Sequence, residues 1–180
     1  MGDRSYTRFS VPFRIFKGQH GRRHLAAVAQ AFGLLARTLK PILAQAPHDE
    51  EAGYNNGIAV RLVQGCPCLV LEDDDCNYGG SIEESALLDA HIPFIRVNDA
   101  GHEYGPSRTV SDGRSAATVR LDNYGTAMVG VHIDDDGKMT VDDEELDEIR
   151  RAIRLTRSVL RQPRIPNVSR ANKRHPAASG

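Results

Sequence analysis

Apolar and polar positions along the chain fall into a few distinct periods. From Phe9 to Phe16 the apolar residues Phe9, Val11, Phe13 and Ile15 alternate, which predicts a first strand, with Pro12 requiring an edge position. Lys17-Gly18-Gln19-His20-Gly21 interrupts it. From Arg22 to about Gln45, the residues Leu25, Val28, Phe32, Leu35, Leu39 and Ile42 recur at spacings of three and four, the mark of one face of a long helix whose last turn Pro41 frays. Such a seam either lies on the protein's own sheet or joins two subunits, so a homodimer through residues 22–45 is one expectation. The polar stretch Pro47 to Gly57 is a loop.

Ile58 to Val63 and Cys68 to Leu71 predict two short strands joined by Gln64-Gly65-Cys66-Pro67. The acids Glu72 to Asp75 and the turn Asn77-Tyr78-Gly79-Gly80 follow. A helix then opens on a capping box, with Ser81 and Glu84 exchanging hydrogen bonds, and stops after His91 before Pro93. Phe94 to Val97 is the next strand. This is the strand-helix-strand-strand-helix-strand order of the ferredoxin-like split βαβ. Further strands are predicted at Ala116 to Leu121 and Thr126 to Ile133. A last helix runs from Asp143 to Arg161, capped by Asp142 with Glu145 completing the box, and its apolar stripe is Leu146, Ile149, Ile153, Thr156 and Leu160. The expected class is α+β: a mainly antiparallel sheet with helices on one face, followed by a C-terminal helix. Residues 1–162 form one domain and residues 163–180, rich in proline and basic residues, a flexible tail.

Composition fits a single folded domain, at 180 residues with 40% hydrophobic and 26% charged residues. No apolar run approaches the ~20 residues of a membrane span, and the N-terminus lacks an apolar signal core, so a cytoplasmic protein without a membrane role is expected. Three cysteines, Cys66, Cys68 and Cys76, make no disulfide framework. The net charge of −1 conceals segregation: acids crowd Glu72 to Asp75 and Asp134 to Glu148, whereas no acid occurs after Arg150. Arg154, Arg157, Arg161, Arg164, Arg170, Lys173 and Arg174 can therefore contact nucleic-acid phosphates, or else complement a helix dipole and solubilise a tail.

Candidate chemistry is sparse. Cys66, Cys68 and Cys76 with His91 or His102 hold the atoms of a zinc site, but not its usual pair spacing. His132 to Asp143 overlays a calcium loop in part, with Asp134, Asp136 and Gly137 in place; histidine at the first ligand position and aspartate at the last favour an ordinary Asp-Gly turn. Lys17 to Arg23 precedes a helix N-terminus without a Walker or dinucleotide pattern. No nucleophile motif occurs, and neither cofactor nor metal is expected. His102 and Glu103, together with Asp73 to Asp75, are the residues on which a small metal- or phosphate-dependent enzyme would rest.

The acids after Leu71, then Asn77-Tyr78-Gly79-Gly80, a Glu-rich short helix, Ile92-Pro93-Phe94 and Glu103-Tyr104 resemble a pattern in small uncharacterised proteins carried by bacterial plasmids and phages. The resemblance spans residues 72–104, about a fifth of the chain. It implies a mobile-element accessory protein that binds or inhibits host nucleic-acid or defence machinery, an anti-CRISPR-like action included, and carries over no catalytic residues. The expected function is thus non-enzymatic docking on a host protein or ribonucleoprotein complex. The docking residues would be Glu72, Asp73, Asp74, Asp75, Asn77, Tyr78, His102, Glu103 and Tyr104, gathered at one end of the sheet.

Overall fold

The structure is a computed structural model that describes residues 4–47, 57–77, 80–99 and 105–161, with the backbone alone at 4, 5 and 74–77. The predicted flexible tail, Tyr78 and the His102-Glu103-Tyr104 group lie outside the described residues. The elements run β1 (Arg4–Pro12), a 3-10 turn (Phe13–Phe16), α1 (Gly21–Ala31), α2 (Ala36–Leu43), β2 (Gly57–Val63), β3 (Cys66–Asn77), α3 (Ser81–Asp89), β4 (Phe94–Asn98), β5 (Ser107–Ser111), β6 (Ala116–Arg120), β7 (Val131–Ile133), β8 (Met139–Val141) and α4 (Asp143–Val159). The protein is α+β, as its pattern predicts.

One antiparallel sheet of six strands has the order β2-β3-β1-β4-β5-β6. Since β3 lies between β1 and β2, and β1 between β3 and β4, the first four strands make two interlocked split βαβ units. β5 and β6 extend them, so the sheet is not strictly ferredoxin-like. β1 is central, not an edge. Pro12 is tolerated there because β4 pairs with β1 only from Thr7 to Ser10, leaving no ladder bond for the missing N–H to donate. Strand β5 escaped prediction because its buried positions are largely polar. Thr109 and Ser111 are fully buried and satisfied, Thr109 by Thr118 at 3.0 Å and by Arg96 at 3.2 Å, and Ser111 by the Gly113 amide at 3.1 Å.

Alternation along the strands builds two cores. Phe9, Val11, Leu69, Leu71 and Phe94 face α1, α2 and α3; Cys68, Val70, Ile95, Val110, Ala117 and Val119 face α4. Three helices thus share one side, as expected, and the C-terminal helix covers part of the other. The predicted long helix is broken. Gly33, at φ 61°, takes the left-handed position of a Schellman motif in which the Leu34 amide bonds to Ala29 at 2.7 Å and the Gly33 amide to Gln30 at 3.1 Å. The break turns α2 back so that Leu39 joins Leu25 and Val28 beneath the sheet. Of the seam proposed for a dimer, Leu35 alone is exposed, at 57%.

Local chemistry corrects other boundaries. Gln64 and Gly65, both with positive φ, make a two-residue turn, so β3 begins at Cys66. Gly80, not Ser81, caps α3; the Glu84 carboxylate meets Arg96 Nε at 2.9 Å instead of the expected amide. Asp142 caps α4 as predicted, accepting from the amides of Glu144 and Glu145 at 3.0 and 3.1 Å. Glu145, however, binds Arg120 and the Gly130 amide rather than completing a box. The buried stripe of α4 is Ala152, Leu155, Val159 and Leu160, with Ile149 beside it, and Ile153 of the predicted stripe is exposed. The strand expected over Thr126 to Ile133 reduces to an isolated bridge, Leu121 to Ala127, and to β7, which pairs with β8 as a separate hairpin.

Candidate functional site

Strand β3 runs on through the acidic segment, so those residues form a strand end instead of a loop. Pleating sends neighbours to opposite faces. Glu72 turns to the α4 side of the sheet and is buried. Its carboxylate takes both nitrogens of Arg61, at 2.9 and 2.7 Å, and the Tyr6 hydroxyl at 2.8 Å. Burial first, and then the Glu72 carboxylate, hold the Tyr6 phenol well above its ordinary value. Glu72 is therefore a structural ion pair and leaves the proposed docking set. On the same face, Arg8 and Arg108 flank Val97 in register. Burial, followed by the Arg8 charge, lowers the pKa of the Arg108 guanidinium.

Asp73 points the other way and is exposed, in a cross-strand row with Thr7 and Asn98. The end of β3 and the end of β4 thus lie at one end of the sheet, where the sequence places the docking patch. A cavity of about 330 Å³ opens there. Phe9, Leu71 and Thr7 form its buried floor, Phe32, Leu34 and Ile58 its half-buried walls, and Asp73 and Glu83 its polar rim. The floor is stiffened by Phe9, whose ring meets Phe32 edge-on at 5.1 Å. Thr7 is 1% exposed and its hydroxyl has no hydrogen-bond partner among the described residues. Among the described residues, no lysine, arginine or histidine lines the cavity.

The β7–β8 hairpin is the second surface of note. Its pairing sets Val131 opposite Val141 and Ile133 opposite Met139, putting all four side chains on one face, and they are exposed at 53, 48, 57 and 69%. At the tip Asp134 accepts the amides of Asp136 and Lys138 at 3.1 and 2.8 Å. The segment overlaying a calcium loop is this turn. Acids border the apolar face at both ends, with Asp134, Asp135 and Asp136 at the tip and Asp142, Asp143 and Glu144 at the base. Sequence reasoning places Met139 at the apolar eighth position of the partial calcium loop and Ile133 at a strand end, and misses the shared face, although Val131-x-Ile133 and Met139-x-Val141 flanking an Asp-Gly turn carry the hairpin signal.

On α4 the charges divide by position. Asp147 and Glu148 pair with Arg150 and Arg151, whereas exposed Arg154, Arg157 and Arg161 have no ion pair among the described residues. Arg14 closes the C-terminal end by donating to the Ser158 and Arg161 carbonyls, both at 2.9 Å. The remaining candidate clusters are described only in part, since the Cys76 side chain and His102 lie outside the described residues. Cys66 and Cys68 are core residues, and the His91 ring meets the Gly113 carbonyl at 2.9 Å. In the Lys17 to Arg23 loop, a Cβ on Gly21 would stand 2.1 Å from the Phe16 carbonyl oxygen, so glycine serves close chain approach.

Comparison with models of protein families, with curated proteins and with solved structures found no match. No helix among the described residues is long and apolar enough to cross a membrane.

Proposed function

We propose that this chain is a non-enzymatic interaction protein that docks on a basic, partly apolar surface of a host protein or ribonucleoprotein complex. In this reading it is a mobile-element accessory that obstructs host nucleic-acid or defence machinery. The observation that carries the reading is the hairpin: four large apolar side chains share one face, each about half exposed, on a two-stranded unit that is marginal by itself in water. Its acidic borders select the charge of the partner, since a basic rim around an apolar centre complements them. Surfaces that handle nucleic acid have that charge.

The test compares the wild-type protein with the Ile133→Asp/Met139→Asp double variant as bait in the bacterial host. A basic protein or ribonucleoprotein complex retained by the wild type should be lost at least tenfold from the variant, about 1.4 kcal/mol, and released by salt, with the thermal transition unchanged. Equal retention by both baits would remove the hairpin from the function. A concentration-dependent dimer of the wild type that the variant abolishes would assign the face to a second copy instead.

A second reading has its own observation. Arg154, Arg157 and Arg161 make an exposed stripe without counter-charges among the described residues, leading into Arg164, Arg170, Lys173 and Arg174, which lie outside them. Such a stripe suits a phosphate backbone.

A further inference from the structure

The cavity at the acidic strand end has a chemistry of its own, independent of the hairpin. Its floor and walls are apolar: Phe9 and Leu71 below, Phe32, Leu34 and Ile58 around. The polar groups at its edge have one sign. Asp73 and Glu83 stand at the rim, and no cationic side chain among the described residues lines the space. One further group points to a ligand. The Thr7 side chain lies on the cavity side of the sheet, in the row that also holds Asp73 and on the same face as Phe9, and its buried hydroxyl has no hydrogen-bond partner among the described residues. Leaving such a hydroxyl without a partner is costly, and such atoms are uncommon in native interiors.

We infer that this cavity is a binding site for an organic cation carried on an apolar stem. The stem lies against Phe32, Leu34 and Ile58. The positive head, an ammonium or guanidinium, sits against Glu83, above the Phe9–Phe32 aromatic pair, with Thr7 as a neutral acceptor beneath. A cation over aromatic faces and beside a carboxylate is stabilised by both. A volume of about 330 Å³ is at the small end of ligand sites, so the ligand is one ring or one short chain. A free amine and the side chain of a lysine or arginine share this chemistry.

The experiment is an NMR titration of the full-length protein with three probes that share a phenethyl stem and differ in the head group: phenethylamine, 2-phenylethanol and 3-phenylpropionate. The amine should saturate the shifts of cavity residues at a concentration about tenfold lower than the alcohol, and the propionate should not bind. Glu83→Gln should weaken the amine about threefold or more and leave the alcohol unchanged. Thr7→Val should weaken the amine while the fold persists, and Leu34→Trp, which fills the space, should abolish both. The Ile133→Asp/Met139→Asp variant should bind the amine like the wild type, which separates this site from the hairpin. A capped Gly-Arg-Gly peptide distinguishes the sources: binding comparable to the amine assigns the site to a partner's basic side chain, and binding by the free amine alone assigns it to a small molecule. Equal affinity for amine and alcohol, or no response of folded protein to the amine, would overturn the inference.

Discussion

Tyr6 shows how burial changes the meaning of a polar residue. Its phenol donates to Glu72 and is held above the ordinary value of 10.0 by burial and by that carboxylate. A group whose pKa is raised on folding contributes stability that is fully present below its unfolded value and lost as the pH climbs from there through the folded value. Resistance to urea should therefore fall above about pH 10 as the unfolded chain's tyrosine ionises. Tyr6→Phe should flatten that fall, as measured by denaturation midpoints between pH 8 and 11. A wild-type and a variant curve of equal slope would show that Tyr6 is not held neutral. The contrast with Asp73, one residue beyond Glu72 and on the opposite face, was not legible in a run of four acids. Only the pairing of Glu72 with Arg8 and of Asp73 with Thr7 tells which acid turns inward.

Among the elements, α4 was read with the right extent and cap and the wrong phase. Spacings of three and four are satisfied by Leu146, Ile149 and Ile153 and equally by Ile149, Ala152, Leu155 and Val159, and the sheet selects the second set. Leu155→Ala should accordingly cost about 2 to 5 kcal/mol, whereas Ile153→Ala, at a position 45% exposed, should stay within about 0.5 kcal/mol. Chemical denaturation of the two variants checks the assignment, and comparable losses would contradict it. The α1–α2 break has a similar origin. Apolar spacing continues across Gly33 as if the helix did, but the Schellman bonds at Ala29 and Gln30 end the first helix there.

For the whole molecule, charge separation is the property that most bears on function. Carboxylates gather around the hairpin and the first turns of α4, and arginines without an ion pair among the described residues lie along its last turns. A long duplex lying on the arginine stripe would meet the acids of Asp142 to Glu148. Nucleic acid is accordingly expected to bind only weakly at physiological salt. Filter binding or fluorescence anisotropy across a salt series measures this, each neutralised phosphate adding about 0.7 to 0.9 to the log-log slope. Sub-micromolar, salt-sensitive binding that disappears when the chain is cut after Gln162 would make nucleic acid the primary partner.

The sequence by itself determined the fold class, the split βαβ order of the first four strands, the Asp142 cap and the polarity of charge along α4. Each depends on neighbours a few residues apart: period, capping chemistry, turn residues. Tertiary structure decided the rest. It made β1 central despite Pro12, hid Thr109 and Ser111 in a strand with little apolar signal, and buried Glu72. It also joined Thr7, Phe32, Ile58 and Glu83, residues from four different elements or their flanks, around one cavity. Those outcomes come from pairing and packing between distant segments, and no local pattern encodes which segment will arrive.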